Sequence, residues 1–532
     1  MNRDNLLSNL QKAVESFADA YLGVPKFPRA SKVIHDAIWG THLLHAHEVA
    51  TLDSPLLQRL RYLHQTGLSY LTYPSTTHTR FEHTLGVLYQ ADRLWRALSD
   101  KYERDPTLLP KSLEIKLRMA ALLHDCSHGI FSHTSEEIYR LFPEIQACVG
   151  PDGKYEGMSP SEVLAALIIE SEPFDTFFKG LEKDTMALDF SPGELASLIL
   201  GKKPDKLRAY QTDIINGPFD ADKLDYIARD GHYSGLPLGI DLDRLWYATE
   251  IQLLRKDKVK ASDIELDEDQ RRLVMGRSGI NSLEQIVAAK MNLTATLYHH
   301  HKVRACDCMV KSVVEYARKR DLPVACRKLE TAVDFLWLTD SSFLEDSQSN
   351  PDEELKRLVG NIVHRRLLKR ALVIAGLSFE KPEEALGSES PGKTEDDKTY
   401  NLLFKLAELK RTPEGAIELR RLAETICLEA GKPCLPEEVW IDLPDVPRTP
   451  ELERTFVNIG TAEEREFRTL NKFIPLEQWG KQYVINMWRG HVFSPPGSEE
   501  KIGPAASRVL RDKYNIFFNK YAFLLANLRP DL

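Results

Sequence analysis

Apolar residues recur at spacings of three and four along most of this chain, and strand-like alternation is scarce. Leu85, Leu88, Ala91, Trp95 and Leu98 form one such stripe, and Leu117, Ala120, Ala121 and His124 another. That period commits the backbone to helices burying one face. The expected fold is mostly α: a helical core with a smaller C-terminal helical or α+β extension. Gly and Pro punctuate it at Tyr73-Pro74-Ser75, Gly150-Pro151-Asp152-Gly153, Gly217-Pro218 and Gly235-Leu236-Pro237. The expected organisation is an N-terminal amphipathic helix (1–30), a core region (31–375), a mobile polar loop (376–399) and a C-terminal region (400–532). The polar stretch Glu345–Glu354 reads as mobile too.

At 532 residues, with 42% hydrophobic and 28% charged residues, the chain can bury a large core and is not disordered wholesale. A net charge of −9 makes it a poor generic nucleic-acid binder, because such binding needs a basic face to displace counterions. The basic run Arg365–Arg370 reads as a solvated face. Seven scattered cysteines give no disulfide framework, and Cys306-x-Cys308 lacks the second pair of a zinc ribbon. Met1–Val24 has no basic segment followed by an apolar one, and the apolar run Val163–Ile169 is too short to cross a bilayer. A cytosolic protein with reduced thiols and no membrane partner is expected. No GxxxxGK[ST] phosphate loop is present, which removes the commonest route to nucleotide hydrolysis.

Three short words carry the chemistry. They are Arg80-Phe81-Glu82-His83-Thr84-Leu85-Gly86-Val87, His124-Asp125-Cys126-Ser127-His128-Gly129-Ile130-Phe131-Ser132-His133, and Asp220-Ala221-Asp222-Lys223-Leu224-Asp225-Tyr226-Ile227-Ala228-Arg229-Asp230. An isolated His-Asp pair most simply caps a helix. Joined by a distant His and a distant Asp, it becomes a two-nitrogen, two-oxygen ligand set for a divalent ion such as Mn, Fe, Ni, Co or Zn, with positions left for water and phosphate oxygens.

These words, in this order, resemble the HD-domain metal phosphohydrolases, and within them the deoxynucleoside triphosphate triphosphohydrolases. The resemblance begins at Val33-Ile34-His35-Asp36 and Trp39-Gly40. It passes through Leu52–Tyr62 and Gln65-Thr66-Gly67, and resumes after the three words at Glu284, Lys290 and Tyr298-His299-His300. It is still visible at Leu338–Leu344 and Arg365–Lys369. It implies a helical HD domain over 31–375 that binds a divalent ion (Mn, Mg, Fe, Ni, Co or Zn) through His83, His124, Asp125 and Asp222. Asp222 is preferred to Asp220 because it directly precedes Lys223 in the family word. His128 and His133 match histidines facing the α-phosphate. Glu136, one turn after His133, stands where bacterial dGTPases carry Glu and would hold that imidazole in one tautomer. Arg80 and Lys223 would grip phosphate, Gln65, Tyr226 and Asp230 would surround the sugar, and Tyr298 would pack on base or sugar.

Two departures stand out. A family arginine is here Lys290, which keeps the charge but loses the bidentate fork. The family's His-Glu-x-x-Ser word reads Tyr155-Glu156-Gly157-Met158-Ser159, so a histidine used in catalysis is replaced by a neutral phenol. Lys32, Val33, Asp53, Gln58 and Arg61 match a guanine-nucleotide effector site between subunits, which implies a homo-oligomer, tetramer or dimer. Asp53-Ser54-Pro55 equally fits a helix N-cap. The implied reaction is hydrolysis of a dNTP to deoxynucleoside and triphosphate. The alternatives are another HD phosphohydrolase, acting on a nucleoside monophosphate, a cyclic nucleotide or an alarmone, and a nucleotide-binding sensor with weakened catalysis.

Overall fold

The computed structural model describes residues 3–22, 30–102, 105–184, 188–203, 205–256, 266–380, 394–446, 455–460 and 465–529. The fold is mostly α, as the periodicity requires. The helix Arg3–Leu22 buries Leu10, Val14, Phe17, Ala18 and Leu22, and Phe17 and Tyr21 meet the edge of Trp337. Residues 23–29 of the expected N-terminal segment lie outside the described residues. The hairpin Lys32–Asp36/Gly40–Leu44 follows, turning at Gly40 with φ of 74°. After the helix Ala46–Leu52, the short helix Pro55–Gln58 is capped by Ser54 rather than Asp53, with Pro in its first turn.

The centre of the main core is a trio of helices in which Arg80–Lys101 packs against both Lys111–Leu123 and Ala221–Ser234. Leu85, Leu88, Ala91, Trp95 and Leu98 are all buried, as are Leu117, Ala120 and Ala121, so both stripes face inward. A second core, including Leu372, Leu403, Ile426, Trp488, Val492 and Ile502, surrounds a three-stranded sheet ordered Lys369–Ile374, Gly490–Ser494, Trp440–Asp442. The strand Lys369–Ile374 thus contributes Ala371, Leu372 and Ile374 to the C-terminal core. A four-stranded sheet joins Thr249–Leu254, Gln270–Gly276, Phe456–Asn458 and Phe467–Thr469. Its last two strands have three residues each, too short to announce themselves by alternation.

The stretch Glu345–Glu354 departs from expectation. It is ordered: Asp346–Ser349 form a 3₁₀ turn, Ser347 is 1% exposed and its hydroxyl accepts from the Ala325 amide at 3.0 Å. Asp352 then caps the helix Glu353–Val363 through the Leu355 amide. Its polar side chains are spent on backbone groups, which composition alone does not distinguish from solvation. Of the expected loop 376–399, residues 381–393 lie outside the described residues. Gly376–Ser378 form a 3₁₀ turn, and Thr394 caps a helix Glu395–Leu409. Among the described residues no helix is long and apolar enough to cross a membrane.

Candidate functional site

Three helix ends converge on the central trio. Thr79 and Glu82 form a reciprocal capping box that starts the Arg80–Lys101 helix and puts His83 in its first turn. His124 closes the Lys111–Leu123 helix, and Asp125 follows it. Asp220 caps Ala221–Ser234, accepting from the Lys223 amide at 2.8 Å and meeting Lys223 Nζ at 2.6 Å. Its carboxylate is therefore engaged, and Asp222 turns to the imidazoles. His83 Nε2 lies 3.0 Å from Asp222 Oδ1 and 3.6 Å from Asp125 Oδ2. His124 Nε2 lies 3.3 Å from Asp125 Oδ1 and 4.0 Å from Asp222 Oδ1. The donor atoms of His83, His124 and Asp125 all fall within 4.8 Å of one another. Gly86 permits this approach, since a Cβ there would sit 1.8 Å from Asp225 Oδ1.

These donors fit a divalent cation. His124 Nδ1 is 2.8 Å from the Ala121 carbonyl, which assigns the ring proton to that nitrogen. Its Nε2 lone pair is left buried and without a hydrogen-bond partner, aimed at the carboxylates. His83 Nδ1 is held at 2.8 Å by Asp225, which also accepts from Trp39 Nε1 at 2.5 Å and Arg229 Nε at 2.9 Å. Arg229 in turn reaches Asp36 at 2.9 Å, and Asp36 accepts the amides of Ile38 and Trp39. Such outer partners fix the orientation and basicity of a ligating imidazole. Burial works against a charged His83, but hydrogen bonds to Asp222 and Asp225 and the charge of Asp125 outweigh it and push its pKa up to about 10. Positive charge is strongly favoured at this point.

Beside the cluster, Arg80 Nη1 is 2.5 Å from Asp125 Oδ2 and its Nε donates to Ser132 Oγ at 2.9 Å. The expected phosphate-gripping arginine thus rests on a carboxylate, with Nη2 buried and unpartnered. His128 Nε2 meets Asp125 at 3.2 Å; burial, with the Arg80 charge, lowers its pKa to about 4, so the ring is neutral near pH 7. His133 is exposed, 3.5 Å from Glu136 and 6.1 Å between ring centroids from His128. Glu136 is also hydrogen-bonded by Ser159 Oγ at 2.5 Å. Burial would raise its pKa, but His133 and His128 hold it at about 2. Phe131 and Ser132 enter this helix at φ of 52° and 55°, a strained conformation for side-chain-bearing residues. It is held by Asp340, which accepts from the Phe131 amide at 2.7 Å, and by Ser132 donating to the His64 carbonyl.

The remaining residues of the resemblance separate into groups. Asp230 accepts from Tyr298 at 2.6 Å and pairs with His78 Nε2 at 2.8 Å. A π turn, Thr294–Tyr298, directly follows the helix Ile280–Leu293 that carries Lys290 in its last turn, and Tyr298 ends it. Gln65 is buried, and its Oε1 has no partner. Lys223 is tied to Asp220 and the Gly217 carbonyl. Tyr226 follows one turn later, its phenol pushed up by burial. Tyr155 is buried with Lys154 and Lys202 over its ring and its hydroxyl 3.5 Å from Glu170, so its contacts run away from the histidines. On another face, Lys32 pairs with Asp53 at 2.8 Å, and Arg61 Nε donates to Gln58 while covering Phe81. Val33 stands 64% exposed beside them. The sequence reading missed Asp225, Asp36, Asp340 and Glu162. Glu162 accepts from Asn216 at 3.1 Å, and burial with the neighbouring Glu136 raises it to about 7. Asp225, Asp36 and Asp340 all lie in stretches that carry the resemblance, without a role assigned to them there; Glu162 is joined to the site only by long-range contacts.

Comparison with known proteins agrees with this geometry. The HD domain matches residues 80–229, and the HD associated region matches residues 263–396. An uncharacterised protein of Methanocaldococcus jannaschii is 30% identical over 487 residues, covering 91% of this chain and 83% of that one. The deoxynucleoside triphosphate triphosphohydrolase of Bos taurus is 35% identical over 229 residues, 40% of this chain and 37% of its own. The human enzyme of that name is 28% identical over 396 residues, 69% of this chain and 57% of its own. The chain thus spans little more than half, at most, of these two animal relatives. With the His and Asp words inside the matched segment and an archaeal relative aligned along nearly the whole length, the chain belongs to the HD-domain metal phosphohydrolases, is similar within them to the deoxynucleoside triphosphate triphosphohydrolases, and its cofactor is a divalent metal ion.

Proposed function

We propose that the protein hydrolyses a deoxynucleoside triphosphate to the 2′-deoxynucleoside and inorganic triphosphate. The observation that carries the sugar assignment is the pairing of Tyr298 with Asp230 and the buried, unpartnered Gln65 Oε1. The resemblance puts these groups around the deoxyribose, and the animal relatives' names point to the same substrate class.

A metal held by His83, His124, Asp125 and Asp222 would polarise the α-phosphate and lower the pKa of a bound water. The protein's own groups supply the rest. Lys223, and Arg80 through its unsatisfied Nη2, offer positive charge to phosphate oxygens. The Glu136 carboxylate, 3.5 Å from His133 Nδ1, favours a proton on that nitrogen and orients the ring. Water attacks the α-phosphorus as the bond to the 5′-oxygen breaks; the His133 imidazole gives that oxygen a proton and is reprotonated by the one the attacking water sheds, so the protons balance over the cycle. Triphosphate leaves intact.

The test is incubation with each dNTP and NTP in Mg²⁺ and then Mn²⁺, resolving triphosphate from pyrophosphate and phosphate. Deoxynucleoside and triphosphate in equal amounts are expected, with dGTP preferred to GTP because burying an unpaired hydroxyl costs ~1–3 kcal/mol. Release of pyrophosphate or single phosphates, or equal turnover of GTP and dGTP, contradicts the reading. We further propose that Lys32, Val33, Asp53, Gln58 and Arg61 bind a guanine nucleotide between subunits of a homo-oligomer. Val33 and its cross-strand partner Leu43 are exposed together on the hairpin, with Tyr62 also exposed, which supports an intersubunit location. Sedimentation with and without GTP and dNTPs tests it, and a monomer under every condition rules it out.

A further inference from the structure

We infer that the C-terminal region holds the His133 helix in its working position, through Glu137. This rests on the reading of His133 and Glu136 as active-site groups, and it assigns a role to a region that supplies none of the proposed ligands. The helix His133–Tyr139 spans only seven residues. His133 and Glu136 pair with each other, while Thr134 and Glu137 bond to a different part of the molecule.

There, Glu137 is a hub for three cations. Lys311 Nζ lies 2.7 Å from its Oε2, Arg304 Nη2 3.2 Å from its Oε1, and Lys410 Nζ 3.4 Å from the same oxygen. Thr134 donates to Asp307 at 2.7 Å, and Asp307 is 3.3 Å from Arg304. Arg304 and Lys311 belong to the core helix His301–Lys319. Lys410 caps the C-terminal helix Glu395–Leu409. Asp442, on the buried strand Trp440–Asp442, grips Arg304 with both oxygens, at 2.6 and 3.0 Å. Two C-terminal groups therefore determine where Glu137 sits, Lys410 directly and Asp442 by fixing Arg304. Burial opposes ionisation of Glu137, but Arg304, Lys311 and Lys410 keep it well below the usual carboxylate range. A helix this short has little stability of its own. An ion-pair clamp one residue from Glu136 fixes its rotation about its axis, and with it the direction of His133.

Lys410 and Asp442 are thus positioning residues, and the full chain tests them. The variants are Lys410→Met, Lys410→Arg and Asp442→Asn. The readouts are amide hydrogen exchange of residues 133–139, metal content, and kcat and KM for whichever dNTP the parent protein turns over. Lys410→Met and Asp442→Asn are expected to speed exchange in 133–139 by about tenfold, with metal content unchanged. They should lower kcat by about 10- to 100-fold, the scale of an ångström-sized misplacement, with KM within about twofold. Lys410→Arg, which keeps the charge, restores both. Unchanged exchange and unchanged kcat in Lys410→Met overturn the inference. So does exchange that rises equally throughout the molecule, since the pair would then serve bulk stability. If the parent turns over no dNTP, the proposed reaction fails, while exchange in 133–139 still decides the positioning role.

Discussion

The two sides of the His133 helix are both charged, yet they are built differently. On the junction side, Glu137, Asp307 and Asp442 meet Arg304, Lys311 and Lys410, so charge is balanced by the protein itself. On the cluster side, Asp125 and Asp222 converge on His83 and on a His124 nitrogen that has no partner, and Arg80 is the arginine that touches the cluster. A buried polar atom left unsatisfied costs ~1–3 kcal/mol. Its persistence beside carboxylates points to a cation as the missing partner. Compensated charge builds architecture here, and uncompensated charge marks chemistry.

The largest expected break in that contrast is Asp222→Ala. It should strip the metal while far-ultraviolet circular dichroism stays native, and turnover should fall on the order of 10³-fold or more. Stoichiometric metal with full activity would remove Asp222 from the ligand set. Next is His133→Ala, which should lower turnover ~10²–10⁴-fold, the usual loss for a positioned acid or base, and leave metal content alone. Near-normal turnover would make the imidazole structural. Smaller again is Asp225→Asn, which keeps shape but weakens the hold on His83 Nδ1. Metal affinity, read by competition with a chelating dye, should drop ~10–100-fold, and an unchanged affinity would make Asp225 a packing residue.

The smallest effect belongs to the junction and is independent of metal. Burial, reinforced by Arg304 and Lys410, lowers His299 to about 3, and burial likewise lowers His491 to about 3. Below the unfolded value near 6.5, the unfolded chain takes up protons that these two rings refuse. Stability therefore falls as pH drops from about 6.5 toward 3, by about 1 kcal/mol per ring at pH 5.5. Urea unfolding at pH 7.5 and 5.5, with and without chelator, reads this term. Stability that rises on acidification would contradict it.

The helical core and the proposed ligands were legible because their signals are local. Stripes at spacings of three and four report a buried face without knowledge of what covers it, and His124-Asp125 is a ligand pair already adjacent in the chain. Asp36 and Asp340 lie in stretches that carry the resemblance, but their roles, like that of Glu137, were not legible because they come from partners 193, 209 and 167 residues away. The three-residue strands were illegible for a related reason, since so short a segment owes its conformation to its neighbours. Glu345–Glu354 went wrong because polar side chains look alike whether they meet water or backbone amides.

The sequence by itself therefore determined the helical class and the three His/Asp words, while the preference for Asp222 over Asp220 came from the family resemblance. Periodicity and residue chemistry are properties of the chain alone. Only the tertiary structure decided that Asp220 is consumed as a helix cap, and that the His124 proton sits on Nδ1 with Nε2 left facing the carboxylates. It also decided that Arg80 rests on Asp125, that Tyr155 turns toward Glu170, and that Glu137 joins the His133 helix to the C-terminal region. Each of these depends on which side chain reaches which partner across the fold, and at the 2.5–3.5 Å range of a hydrogen bond that is set by packing.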